Sequence, residues 1–140
     1  IDTWVAAVRS GNPAAELAFN AGAHPILSLC TNGKLCPHQT FTSGENHDFR
    51  QKTKKGFGKA LTPANFPAPE GVAWHLLLPI AQGWGSGDQS RFDLKTLTDR
   101  IGQINVEGGV VTLDVPIAPS GTIPPQVQLR LQELGKEISK

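Results

Sequence analysis

Apolar positions along the chain fall into four short runs separated by helical stripes and by turn residues. Residues 2–10 place Trp4, Val5 and Val8 on one face of a helix that Gly11-Asn12-Pro13 stops. Residues 15–20 (AELAFN) read as a short buried strand, ended by Gly22, and residues 39–42 (QTFT) as a second. Residues 72–80 (VAWHLLLPI) carry the strongest strand pattern, apolar on both faces as in a parallel sheet. After the glycine-rich stretch 83–87, Leu94, Leu97, Ile101 and Ile104 recur at helical spacing, with Ser90 and Asp93 as start signals. Gly108-Gly109 ends that helix, and residues 110–117 (VVTLDVPI) form the fourth strand. Pro124-Pro125 opens a last helix whose buried stripe is Val127, Leu131, Leu134 and Ile138.

Two stretches lack any such period. Residues 23–38, with His24-Pro25, Asn32-Gly33 and Cys36-Pro37, read as an irregular loop. Residues 46–71 read as a long irregular loop, basic and then proline-rich; a loop of that length is more often functional than merely connecting. The element order is helix, strand, strand, strand, helix, strand, helix within a single domain, residues 1–140. Helices joining two-sided apolar strands indicate parallel α/β units. Four strands are half of the eight or so that close a (β/α)8 barrel. Pattern alone therefore allows a small open parallel α/β sheet or a half-barrel.

Composition narrows the function more than the fold. The chain is 39% apolar and 18% charged with a net charge of +1, a balance that argues against a dedicated nucleic-acid binder and for a folded domain. No apolar run approaches the length of a membrane span. The start, Ile1-Asp2-Thr3, has no leader pattern and enters an amphipathic helix directly, so a removed leader, a cytosolic protein and a piece of a longer chain all remain open. Cys30 and Cys36 form a disulfide, stay as two thiols, or join His38 and His47 as a metal set whose Cys-x5-Cys spacing departs from the usual zinc hook. A disulfide would imply an oxidising compartment, secreted or periplasmic.

The segment from Trp74 to Gly135 carries a resemblance. It holds an aromatic strand, Gly83-Trp84-Gly85, an amphipathic helix, Gly108-Gly109, Asp114-Val115-Pro116-Ile117, and Gly121-Thr122-Ile123-Pro124 before a helix ending Leu134-Gly135. In that order these motifs resemble the closing part of the α-L-fucosidase family of glycoside hydrolases. Phe41-Thr42-Ser43-Gly44-Glu45 is similar to the family's strand-end segment reading aromatic-Thr-x-x-Glu, and Gly11-Asn12-Pro13 and Ala18-Phe19-Asn20 to the preceding helix end and strand. The resemblance implies a partial (β/α)8 barrel, strands five to eight with their helices. It also implies retaining hydrolysis of an α-linked fucose or related sugar, with no cofactor. The family's nucleophilic Asp would lie on a fourth strand, upstream of Ile1. On that reading the chain associates with an N-terminal half, or with a second copy that completes its sheet.

Barrel sites form at the C-terminal ends of the strands, which directs attention to the polar residues there. Retaining glycosidases use two carboxyl groups about 5–5.5 Å apart. Glu45, ending a strand after a glycine, is the candidate acid/base. Asp114, interrupting an apolar strand, either serves the site or anchors a loop. Asp2 reads as a helix-start carboxylate and not as a nucleophile. Asn20, His47 and His75 are candidate hydrogen-bonding groups to sugar hydroxyls, and Trp74 and Trp84 candidate stacking platforms; much of the family has Glu where this chain has His75. The run Arg50, Lys52, Lys54, Lys55, Lys59, with Phe49 and Phe57 between, suggests an anionic ligand, RNA, or simply a solvated basic loop. A non-catalytic carbohydrate-binding module and a small basic ribonuclease-like or toxin protein are the competing functions.

Overall fold

The computed structural model describes residues 1–20, 29–30, 34–35 and 38–139. Its element order is α1 (Asp2–Gly11), β1 (Leu29–Cys30), β2 (Lys34–Leu35), β3 (Arg50–Thr53), β4 (Gly56–Ala60), β5 (His75–Pro79), β6 (Ala81–Gly83), β7 (Ser86–Ser90), α2 (Leu94–Val106), β8 (Val110–Asp114) and α3 (Pro125–Ile138). The architecture is mixed α/β with one parallel ladder, and among the described residues no barrel closes. In that ladder β5 pairs with β8 from His75 opposite Val110 to Pro79 opposite Asp114. Three antiparallel hairpins, β1–β2, β3–β4 and β6–β7, complete the set.

Two further segments extend the arrangement without forming ladders, 39–46 beside β5 and 15–20 beside 39–46. The 39–46 segment touches β5 through parallel bridges, Phe41 to Ala73 and Glu45 to Leu77. The 15–20 segment, expected as a strand, forms no strand; Thr40 N and Phe41 N both donate to Leu17 O, at 2.8 and 3.3 Å. Leu17 N donates instead to the Thr40 hydroxyl at 2.7 Å, so a side chain stands where a ladder acceptor would be. Four segments therefore neighbour one another in chain order, 15–20, 39–46, β5 and β8.

Alternation along β5 decides what is core. Leu76, Leu78 and Ile80 are fully buried, and they share one face with Trp74. That face packs against Leu97, Ile101 and Ile104 of α2 and Val127 and Leu134 of α3, with Val111 and Leu113 of β8 beside them. Each large side chain buried there contributes about 1.5–3 kcal/mol. The opposite face carries His75 and Leu77, both half-buried, buried Pro79 at the strand end, and exposed Thr112, so two-sided burial is incomplete among the described residues.

Elsewhere the expected elements shift. On α1 only Val5 is buried; Trp4 is 77% exposed and Val8 47%, which removes two members of the expected buried stripe. The fourth strand stops at Asp114 instead of reaching residue 117. The supposedly irregular residues 46–71 contain the hairpin β3–β4, which turns at Lys54-Lys55 with Gly56 at φ 116°. Thr53 Oγ1 closes this turn by donating to Gly56 O at 2.9 Å. The glycine-rich stretch before α2 is likewise a hairpin, β6–β7, with Gly85 and Gly87 at φ 60° and 102°. Part of the 23–38 loop is β1–β2. The Cys30 side chain, Cys36 and His24 lie outside the described residues.

Helix α2 is tied at both ends by carboxylates. Asp93 is its N-cap, accepting from Thr96 N at 2.6 Å, and this bond holds its carboxyl below the usual range. Glu107, just past the C-terminus, accepts from Ala64 N at 2.9 Å and is lowered chiefly by that bond. A carboxyl depressed in the folded state adds stability above its unfolded value and loses it as pH falls through the folded one. Thermal unfolding between pH 7 and pH 3 is therefore expected to show a melting temperature that falls on acidification, less so in the double variant Asp93→Asn, Glu107→Gln.

Candidate functional site

The C-terminal ends of β5 and β8 gather five of the side chains that the sequence singles out. Glu45 reaches this edge because its own residue bridges Leu77, with Leu77 N donating to Gly44 O at 3.0 Å and Asn46 N to Leu77 O at 2.9 Å. Gly44 makes this approach possible. Its φ is 62°, and a Cβ there would lie 1.9 Å from His75 O, inside the backbone of β5. Across from it, Asn20 Nδ2 donates to Glu45 Oε2, joining the end of the 15–20 segment to the end of the 39–46 segment.

Beyond Glu45 the chain turns at buried Asn46, whose Oδ1 accepts from His47 N at 2.8 Å and aims the histidine outward. The His47 ring meets Trp84 edge-on, with centroids 5.6 Å apart and planes at 69°. Trp84 Nε1–H donates to His47 Nε2 at 3.4 Å, which assigns the His47 proton to Nδ1 in this arrangement. Trp84 sits at the tip of the β6–β7 hairpin. Asp114 holds that tip, because its Oδ2 accepts from Gly85 N at 2.8 Å. Of the two roles the sequence allows for Asp114, its contact is the loop anchor. Asn20 with Glu45, and His47 with Trp84 and, through Gly85, Asp114, thus form two linked groups on this rim, joined by the Glu45-Asn46-His47 backbone.

Two expected members lie elsewhere. Trp74 is 4% exposed on the helix side of β5, and its indole N–H donates to Phe66 O at 2.9 Å, so its ring is core and offers no stacking face. His75 begins β5, about 13 Å along the strand from Pro79 at the usual rise. Its Nδ1 lies 3.1 Å from Thr42 O and its Nε2 2.9 Å from Thr112 Oγ1, with Phe41 edge-on at 5.6 Å. Because a carbonyl only accepts, Nδ1 carries the proton and Nε2 receives the threonine hydroxyl. His75 is a cross-strand tie that joins the 39–46 segment, β5 and β8.

The remaining candidates are dispersed. His38, at φ 69°, has Nε2 3.8 Å from Asp2 on α1. Asp2 lies in the first turn of α1, and that helix start has no side-chain cap. Two members of the possible metal set, the Cys30 side chain and Cys36, lie outside the described residues, and among the described residues no group of three His, Cys, Asp or Glu side chains is placed to hold an ion. Sequence reasoning overlooked Thr42, fully buried, whose hydroxyl donates to His75 O and accepts from His75 N, both at 2.8 Å. It also overlooked the Gly85 amide; a turn glycine next to Trp84 was its only signal.

Fold and site together define a mixed α/β protein with a polar and aromatic rim at the C-terminal ends of its parallel strands. No family model, curated protein or solved structure matches the chain. No helix among the described residues is long and apolar enough to cross a membrane.

Proposed function

We propose that this chain supplies the sugar-binding and acid/base side of an α-L-fucosidase-like glycoside hydrolase site, acting on an α-linked fucose or a related sugar. The observation that carries the reading is the rim itself. Glu45 and Trp84 come from different loops at one strand edge, where a carboxyl and an aromatic face serve a sugar together. Asn20 orients the Glu45 carboxylate, Trp84 offers a ring to the apolar face of a sugar, and His47, in contact with Trp84 and two residues from Glu45, serves a hydroxyl. Asp114 acts through Gly85 as a positioning residue.

The same reading takes the fold as part of a barrel, which the order of the segments supports. The segments 15–20, 39–46, β5 and β8 neighbour one another in chain order, and helices cover one face. On the other face, around Leu77 and Thr112, further strands would pack, whether from an N-terminal half or a second copy. In retaining enzymes of this type the partner carboxylate forms a covalent glycosyl-enzyme while the acid/base protonates the leaving oxygen. Glu45 takes the second role.

The test uses the protein in its natural full length and a nitrophenyl α-L-fucoside, whose nitrophenol release is read by absorbance. Glu45→Gln is expected to lower kcat/KM by about 10²–10⁴-fold for a glycoside with a poor leaving group, and less for the nitrophenyl one. Full activity in Glu45→Gln removes Glu45 from the acid/base role. Millimolar binding of L-fucose without turnover in the full-length protein makes the rim a carbohydrate-binding module instead.

A further inference from the structure

The basic stretch of residues 50–59 folds into the hairpin β3–β4, a defined surface that the proposed sugar rim leaves unexplained. Five of the chain's 13 lysines and arginines lie in it, and no Asp or Glu occurs between residues 49 and 69. Every residue of β3, and all of β4 but Ala60, is exposed. The register pairs Lys52 with Phe57, and the Arg50 guanidinium lies 4.0 Å over the Phe57 ring. Lys54 and Lys55 form the tip, and Lys59 lies on β4. Asp48 answers Arg50 at 3.2 Å; none of the four lysines has an ion pair among the described residues.

Position supplies the second half of the argument. Glu45 and Arg50 are five residues apart, with His47 between them, so the hairpin continues directly from the loop that bears the candidate acid/base. Five residues of chain span at most about 18 Å, so a polymer of several sugars that starts at Glu45 can extend to the base of the hairpin at Arg50. The four lysines there are point charges on flexible stems with no ion pair among the described residues, suited to sulfate or carboxylate groups spaced along a chain. One side of Phe57 is occupied by Arg50, which leaves one aromatic face, too few for the successive base stacking that single-stranded nucleic acid uses.

We infer that the β3–β4 hairpin is a docking surface for an anionic polysaccharide, extending the site at the rim to a charged polymer. The choice of a glycan rests on the proposed sugar site; the cationic surface itself does not.

Binding of heparin (sulfated) and of polygalacturonate (carboxylated only) by the intact protein, near physiological salt, tests this. The comparison is with a variant carrying Lys52→Ala, Lys54→Ala, Lys55→Ala and Lys59→Ala. Because all four side chains are exposed or nearly so, the variant should melt as the wild type does. At least one glycan is expected to bind, about tenfold or more weakly to the variant, with affinity falling as salt rises. Which of the two binds names the anion. Failure of both, equal affinity in the variant, or tighter binding of a single-stranded oligonucleotide of matched charge overturns the inference. An L-fucose titration followed at Trp84 separates the two ideas. A normal fucose response without heparin or polygalacturonate binding removes the hairpin surface alone, whereas lysine-dependent glycan binding without a fucose response removes the rim.

Discussion

Gly44→Ala is expected to destabilise the protein by about 3–4 kcal/mol, read from urea unfolding, and to abolish sugar binding with it. Two effects add. A non-glycine residue in the left-handed region costs about 1–2 kcal/mol. A methyl group 1.9 Å from His75 O also cannot be accommodated unless the 39–46 segment and β5 separate, and overpacking of that kind costs about 1–3 kcal/mol. Gly85→Ala is the control. Gly85 has nearly the same backbone, φ 60°, but a Cβ there meets nothing within 4 Å. It should lose only the conformational part. Equal losses in the two variants would show that the close approach at Gly44 is unimportant and that Glu45 is not held by contact with β5.

Leu78→Ala is expected to cost a comparable amount, about 3 kcal/mol within the range of about 2–5 for buried leucines. Leu78 has no exposed surface, and it lies mid-strand in the cluster that α2 and α3 cover. Backbone bonds to β8 hold the strand on one side and the Glu45 bridge on the other, so the cavity has little room to collapse. Leu129→Ala on α3, at 49% exposure, should change stability by less than about 0.5 kcal/mol. If the two truncations cost the same, the core lies elsewhere than on this face of β5.

The helical stripes were legible on α2 and in part on α3, where Val127 and Leu134 are buried and Leu131 packs against them, whereas Ile138, expected in the same stripe, is 55% exposed. Leu97, Ile101 and Ile104 lie on the buried face of α2 as expected, under the Asp93 cap. The hairpins were not legible. Apart from Phe57, Ala60 and the buried Ala81, the strands of β3–β4 and β6–β7 consist of polar residues and glycine, mostly exposed, with no apolar alternation to mark them. The two tryptophans show a finer lesson. Trp74 has the parity of Leu76, Leu78 and Ile80 and so belongs to the helix-facing side, a deduction the alternation already permits. Trp84 follows the strand and is placed by Asp114 through a long-range bond to Gly85, which no local pattern contains. Glu45 was found because it ends a strand, but Gly44 was overlooked as the reason it can sit there. On α1, spacing put Trp4 and Val8 with Val5, yet only Val5 meets the rest of the molecule.

The most direct measurement of the central claim is an NMR titration of the protein with L-fucose, observed at the indole N–H groups of its three tryptophans. Each occupies a different setting: Trp4 on exposed α1, Trp74 bonded to Phe66 O in the core, and Trp84 at the rim beside His47. The rim predicts a saturable shift of the Trp84 signal at millimolar sugar, with the His47 ring responding in parallel. Trp74 should stay fixed and Trp4 should drift at most linearly. In Glu45→Ala the Trp84 response should weaken. A saturable response at Trp4 or Trp74 with none at Trp84, or no response anywhere while the protein remains folded, would contradict a sugar site at this edge.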